Sequence, residues 1–329
     1  MLYLNEKEIE SLIDMPNVMR VVDECFRLQG KGMATNQPRR RVYVPNGMMH
    51  VMFASLIREN EGFLGLKTYT AYPGVGVRFI FLLWDANSSE LLSLMEANLL
   101  GQLRTGAASG IAAKYMANES IEEAGLIGTG RQAGTQLEAI CLARKIKKVK
   151  IFSRNKDKRE KFVMSMKNRV NTELVTVDDP SKAVKGSKIV CTMTNASDPV
   201  FDGKDIEPGT TIIAAGSNRI TNREIDDETF RKASKGRIVT DNLEGAKFES
   251  GDLVGAVRSN IINWGQVVEI GMLANGTMPG RLSKEEVNLF LSQGVASEDV
   301  ALGSEIFKLA KEKKIGTKLA VDGFLQKPS

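Results

Sequence analysis

Apolar and polar positions along this chain follow two different rhythms, and the change between them divides the sequence. In residues 1–30, acidic and apolar residues alternate at helical spacing, with Val18-Met-Arg-Val-Val-Asp-Glu-Cys-Phe as the clearest stripe. The runs 37–44, 48–53, 63–69, 78–85 and 91–96 read as strands of a meander, separated by Gly, Pro and Asn turns. A small-residue helix follows, Leu103-Arg-Thr-Gly-Ala-Ala-Ser-Gly-Ile-Ala-Ala-Lys-Tyr, whose Ala/Gly face suits close packing on another backbone.

Beyond residue 119 the pattern becomes short buried runs alternating with helices. Glu123-Ala-Gly-Leu-Ile, Lys148-Val-Lys-Ile-Phe, Glu173-Leu-Val-Thr-Val and Lys188-Ile-Val-Cys-Thr predict strands, with helices over 155–169 and 180–185. Residues 209–216 and 237–240 predict two more buried strands. This is the spacing of βαβ units in a parallel sheet. The first run ends in Gly128-x-Gly130-x-x-Ala133, and a helix begins at once. Gly128 permits the tight turn, Gly130 lets backbone approach a pyrophosphate, and Ala133 lets helix and strand pack closely. The helix N-terminus then offers free N–H groups to an anion. The fold class expected is α/β: a Rossmann dinucleotide-binding domain at 119–298, and an N-terminal α+β domain formed by 1–118 with a C-terminal helix at 299–329.

Composition narrows the chemistry. A chain of 329 residues that is 42% hydrophobic suits two domains with real cores. No apolar run reaches the length of a membrane span and no secretory leader is evident, so a cytoplasmic protein is expected. The net charge of +5 is spread over helices with acidic neighbours, which argues against a nucleic-acid partner. The three cysteines lack metal-ligand spacing and read as core residues of a reducing compartment. The single histidine, His50, lies in an apolar run and reads as a strand residue. Metal sites rich in histidine are excluded, and any chemistry falls to Lys, Arg, carboxylates, amides and a cofactor.

Lys67 and Arg104 are lone cations in apolar or small-residue surroundings. Taken alone, each reads as a surface residue with its stem laid along apolar neighbours. Their order changes that reading. Gln37-Pro-x-Arg40, Met52, Gly65-x-Lys67, Leu103-Arg104-Thr105-Gly-Ala-Ala-Ser, Leu126-Ile-Gly-Thr-Gly-x-Gln-Ala133, Glu249-Ser-Gly-Asp252 and Ser292-x-Gly294-x-Ala-x-Glu298-Asp299 occur in sequence. Over nearly its whole length the chain resembles the ornithine cyclodeaminase/mu-crystallin family. The resemblance implies that Arg40, Lys67 and Arg104 hold a substrate carboxylate, with Met52 and Thr105 beside it, and that Arg39 lies outside the site. It also implies a homodimer through the N-terminal sheet and an active site between the domains.

The family includes cyclodeaminases, an alanine dehydrogenase, imine reductases and the ligand-binding mu-crystallin. Its cyclodeaminases carry an aspartate after the fifth Rossmann strand, as a general base. Here Asn218, in Ala214-Ala-Gly-Ser-Asn218, takes that place, and an amide does not accept a proton at neutral pH. Reducing a cyclic imine needs no such base. The expectation is therefore reduction of Δ1-pyrroline-2-carboxylate to L-proline, with Δ1-piperideine-2-carboxylate as a second substrate, and Lys67 and Asn218 at the reacting atoms. The rivals are an ornithine cyclodeaminase, an alanine dehydrogenase, or a mu-crystallin-like binding protein.

The cofactor is expected along Gly128, Thr129, Gly130, Arg131 and Gln132, then at Ser153, Arg154 and Asn155 after the second strand. The family resemblance adds Thr192, Thr194, Gly216, Asn218, Ser292 and Gly294. An NAD-specific site usually has a carboxylate at the end of that second strand. Arg154 stands there instead, flanked by Ser153 and Asn155. That set predicts a preference for NADP(H), with NAD(H) also used.

Overall fold

The structure is a computed structural model and describes residues 1–320. The chain forms two compact units. Among the described residues, the first comprises Met1–Asp14, Met33–Gly101 and 296–320; the second comprises Met15–Gly32 and Gln102–Val295.

The first unit is built on an eight-stranded sheet. Its members are β1 (Leu2–Leu4), β2 (Ala34–Asn36), β3 (Arg40–Val44), β4 (Gly47–Ile57), β5 (Gly62–Tyr72), β6 (Gly76–Asp85), β7 (Leu91–Glu96) and a closing strand, Thr317–Lys318. The meander from β4 to β7 is antiparallel throughout, as the turn spacing predicts. One face packs on the helix Ala296–Lys313, where Gly65 lets Val300 come so close that a Cβ would stand 2.6 Å from its methyl. Period-two alternation leaves the other face open, with Phe53, Leu64 and Ile80 each more than 40% exposed.

The second unit is an eight-stranded sheet with every pairing parallel. Its strands are β8 (Glu123–Ile127), β9 (Lys148–Phe152), β10 (Glu173–Thr176), β11 (Ile189–Thr192), β12 (Thr211–Ala214), β13 (Ile238–Thr240), β14 (Val267–Glu269) and β15 (Asn288–Leu291). They run in the order β10-β9-β8-β11-β12-β15-β13-β14. The chain reverses direction across the sheet between β8 and β11, the switch point beside which α/β sheets bind ligands. Being fully buried, β11, β12 and β15 read as continuous apolar runs rather than alternating ones.

Two boundaries differ from the sequence reading. Residues 15–32 and the helix from Gln102 onward group with the parallel sheet, not with the meander. The helix Met15–Gly30 buries Val18, Val22 and Phe26, and its Gly30 meets Gly271 so closely that a Cβ would lie 2.2 Å from the Gly271 carbonyl oxygen. The helix expected at 299–329 starts at Ala296 and ends at Lys313; its expected continuation past residue 320 lies outside the described residues.

Candidate functional site

Because the sheet of the second unit is parallel, the residues that follow its strands gather along one edge. Gly128 adopts φ +109° there, and a Cβ would meet the Met193 carbonyl oxygen at 2.7 Å, so only glycine fits. At Gly130 a Cβ would meet nothing within 4 Å, which leaves the backbone of the turn approachable. The helix Ala133–Ala143 starts after Gln132, with no side chain capping its first N–H groups. Gln132 itself buries an Oε1 that has no hydrogen-bond partner. An uncapped helix start, an open glycine and an unsatisfied amide fit the pyrophosphate of a dinucleotide. Arg131 is exposed at the tip.

The turn is braced from behind. In the helix Asn98–Met116, Gly106 and Gly110 face the helix after the turn, and Cβ atoms there would lie 2.5 Å from the Thr135 carbonyl oxygen and 2.9 Å from Ala139. Gln136, fully buried, donates to the Thr105 carbonyl at 3.2 Å. The small-residue face predicted from sequence thus sets the spacing of these two helices.

After β9, Thr129 donates to Ser153 at 3.0 Å, Ser153 donates to the Asn155 carbonyl, and Asn155 caps the helix Lys156–Met166 through Lys158 N. Arg154 is exposed and makes no hydrogen bond or ion pair with the described residues. Arg159 lies below, buried against Phe152 and donating to the Ser153 carbonyl at 2.8 Å.

The turns after β11 and β12 are joined by one carboxylate, Glu224. Glu224 accepts from Thr192 Oγ1 (3.1 Å), Thr194 N and Oγ1 (both 2.6 Å) and Gly216 N (2.9 Å). Thr192 is fully buried, and its hydroxyl donates to Glu224. Burial pushes the Glu224 carboxyl up, and four donors oppose that shift. Beneath it, Asp252 accepts from Glu224 N and Ile225 N, and burial pushes its carboxyl up to about 7. Asn218 lies in the loop after β12, two residues beyond Gly216.

Asp241 and the Ser292–Gly294 turn complete this edge. Asp241 is fully buried and accepts from Ser292 Oγ, Gln293 N and Gly294 N at 3.1, 2.7 and 2.6 Å. Burial raises its carboxyl, and these donors pull it back down. Gly294 has φ +73°, and a Cβ there would stand 2.5 Å from Arg104 Nη1. Arg104 and Thr105 are buried at 6% and 7% exposure. A carboxylate at the carboxyl end of a buried parallel strand, in Thr240-Asp241-Asn242, was the sequence signal available for Asp241.

In the first unit, Lys67 on β5 stands opposite Met52 on β4. Both are only 2% exposed, and Lys67 Nζ meets Asp299 at 2.7 and 2.6 Å. His50 is buried on β4 and stacks on Tyr69 at 4.2 Å, a strand residue as expected. The arginines differ from expectation. Arg40 pairs with Val51 and is exposed, on the face opposite Met52 and Lys67. Arg39, just before β3, is buried at 9% exposure. Among the described residues no group of three or more His, Cys, Asp or Glu could hold a metal ion, and no helix is long and apolar enough to cross a membrane.

Known proteins resemble this chain in sequence and fold. An alanine dehydrogenase from Archaeoglobus fulgidus is 35% identical over 325 residues, covering 97% of this chain and 98% of its own length. The structure of Thermococcus litoralis Δ1-pyrroline-2-carboxylate reductase in complex with NADH and L-proline superposes with a TM-score of 0.91 at 34% identity, covering 97% of this chain and all of that one. An archaeal alanine dehydrogenase dimer with bound NAD gives 0.90 at 33%, covering 97% and 99%. The sequence profile of the ornithine cyclodeaminase/mu-crystallin family matches residues 1–314. The profile spans most of the chain and the Archaeoglobus relative is 35% identical over nearly all of it: the chain belongs to the ornithine cyclodeaminase/mu-crystallin family.

Proposed function

We propose that this chain is a nicotinamide-dependent reductase of cyclic imino acids. It converts Δ1-pyrroline-2-carboxylate to L-proline and takes Δ1-piperideine-2-carboxylate as a second substrate. The observation that carries this reading is the turn after β12. It offers Ser217, Asn218 and Arg219, and no carboxylate. Glu224, the acid packed against that turn, already accepts four hydrogen bonds from Thr192, Thr194 and Gly216. No base is left there to take a proton from an amino acid, and reducing a preformed imine requires none.

In this reading the turn from Gly128 to Gln132 and the uncapped helix start hold the cofactor, whose dihydronicotinamide supplies hydride when bound. Lys67 and Arg104 provide cations for the substrate carboxylate, Lys67 as a point charge and Arg104 as a planar fork. Arg40, the third cation implied by the resemblance, is exposed, and the buried Arg39 beside it is the alternative third candidate. Asn218 offers a hydrogen bond near the imine nitrogen without titrating. The exposed face of the meander sheet, with Phe53, Leu64 and Ile80, is the surface for homodimer formation.

The 35% identity to an alanine dehydrogenase supports a second reading, amination of pyruvate. One set of steady-state assays separates them. Δ1-pyrroline-2-carboxylate with reduced cofactor should turn over with a higher kcat/KM than pyruvate with ammonia, and L-ornithine with NAD should release no ammonia above background. The reverse ranking would establish the dehydrogenase, and ammonia from ornithine would establish a cyclodeaminase.

Cofactor choice rests on Arg154. An exposed guanidinium beside Ser153 and Asn155 suits a 2′-phosphate, so NADPH is the preferred reductant and NADH a working one. Arg154→Ala should lower the NADPH-to-NADH ratio of kcat/KM by roughly tenfold, the loss of one charge-assisted hydrogen bond. An unchanged ratio would remove Arg154 from the cofactor site.

A further inference from the structure

Asp241 is fully buried, and every hydrogen bond its carboxylate accepts comes from a turn or strand end of its own unit. Its Oδ2 collects Ser292 Oγ, Gln293 N and Gly294 N; its Oδ1 collects Asn242 N at 2.9 Å and Thr240 Oγ1 at 3.3 Å. Successive backbone N–H groups converging on one anion make a nest, and closing the nest fixes the conformation of the residues that supply it. Here the last of them, Gly294, is held at φ +73°. That conformation turns its Cα toward Arg104, where a Cβ would lie 2.5 Å from Nη1 and 3.1 Å from Nη2. The Arg104 guanidinium is thus backed by the one residue of the turn without a side chain, and Asp241 sets where that turn stands. From the other side, Gln29 Nε2 donates to the Asp241 carbonyl at 2.6 Å, which fixes the residue's own backbone.

We propose that Asp241 is a positioning residue for Arg104: through the Ser292–Gly294 turn it sets the direction in which the guanidinium is presented to the substrate carboxylate. This rests on the reading above that Arg104 binds that carboxylate. It reassigns Gly294, expected from family resemblance to contact the cofactor, to the support of the substrate cation. Asn at 241 would keep the size of the side chain but turn an amide N–H toward donors, so at least one bond of the nest is lost. Ala at 294 would strain the left-handed turn and press a methyl on Arg104.

The test is a double-mutant cycle on kcat/KM for Δ1-pyrroline-2-carboxylate, with cofactor Kd measured by fluorescence and folding by thermal denaturation. Asp241→Asn and Gly294→Ala should each raise KM for the imino acid by ten- to a hundredfold and change cofactor Kd by less than twofold. In an Arg104→Ala background neither should lower kcat/KM by more than about twofold further, because the group they aim is gone. Losses that multiply fully in that background, or a cofactor Kd that worsens as much as KM, would overturn the proposal. If Asp241→Asn does not fold, Gly294→Ala decides by the same cycle. Wild-type kinetics in Arg104→Ala alone would instead refute the assignment of Arg104 to the substrate, a separable failure.

Discussion

Arg104→Ala is expected to reduce kcat/KM for the imino acid by about thirty- to a thousandfold, equivalent to roughly 2–4 kcal/mol. The magnitude follows from where the side chain lies. At 6% exposure the guanidinium is largely desolvated, so a substrate carboxylate meeting it gains more than it would at a surface. Arg104→Lys should recover only part of the loss, because an ammonium keeps the charge and loses the planar fork. Cofactor Kd should change little, since the dinucleotide is assigned to the Gly128 turn and not to this side chain. A substrate lacking the carboxylate should lose nothing on mutation, which gives an internal control. Wild-type kcat/KM in the alanine variant would end the carboxylate assignment.

The second large effect is on stability. Lys67 is 2% exposed and Asp299 not at all, and they meet at 2.6–2.7 Å. Removing one partner of a buried ion pair leaves an uncompensated charge, which costs about 3–5 kcal/mol. Asp299→Ala should therefore lower the unfolding free energy by that amount in urea denaturation. The double variant Lys67→Met with Asp299→Ala should restore most of it, because two apolar side chains replace two charges. The same double variant should be inactive on the imino acid, so stability and catalysis separate cleanly. A loss below about 1 kcal/mol in Asp299→Ala would mean that the pair does not hold Lys67 in its charged form.

Much of the scaffold could be read in the chain before the structure. Strand-like runs separated by Gly, Pro and Asn turns predicted the meander from β4 to β7, and the buried runs with the Gly128 turn predicted the parallel sheet. β2, β14 and β15, of three or four residues, were not anticipated because so short a run shows no periodicity, and the equally short β13 was legible only as a buried run. β1 was absorbed into a helical stretch for the same reason. Lys67 and Arg104 were legible because a lone cation among apolar residues is conspicuous. Asp241 was not, since the donors that define its role lie 51 to 53 residues further along the chain. Glu224 is similar, with its threonines some thirty positions earlier. Arg40 shows a different limit: a motif gives a position, and only the register of β3 on β4 tells which face its side chain takes.

Gly106, Gly110 and Gly125 each sit where a single methyl would collide with a neighbouring backbone, at 2.1–2.9 Å from a carbonyl oxygen. Such a frame accepts almost no sequence drift, whereas Arg154 and Arg131 stand exposed at its rim. Divergence in cofactor taste is therefore open at the rim and closed in the frame. Anyone redesigning this protein for a different reductant would begin by randomising 131 and 153–155, and would leave the glycines alone.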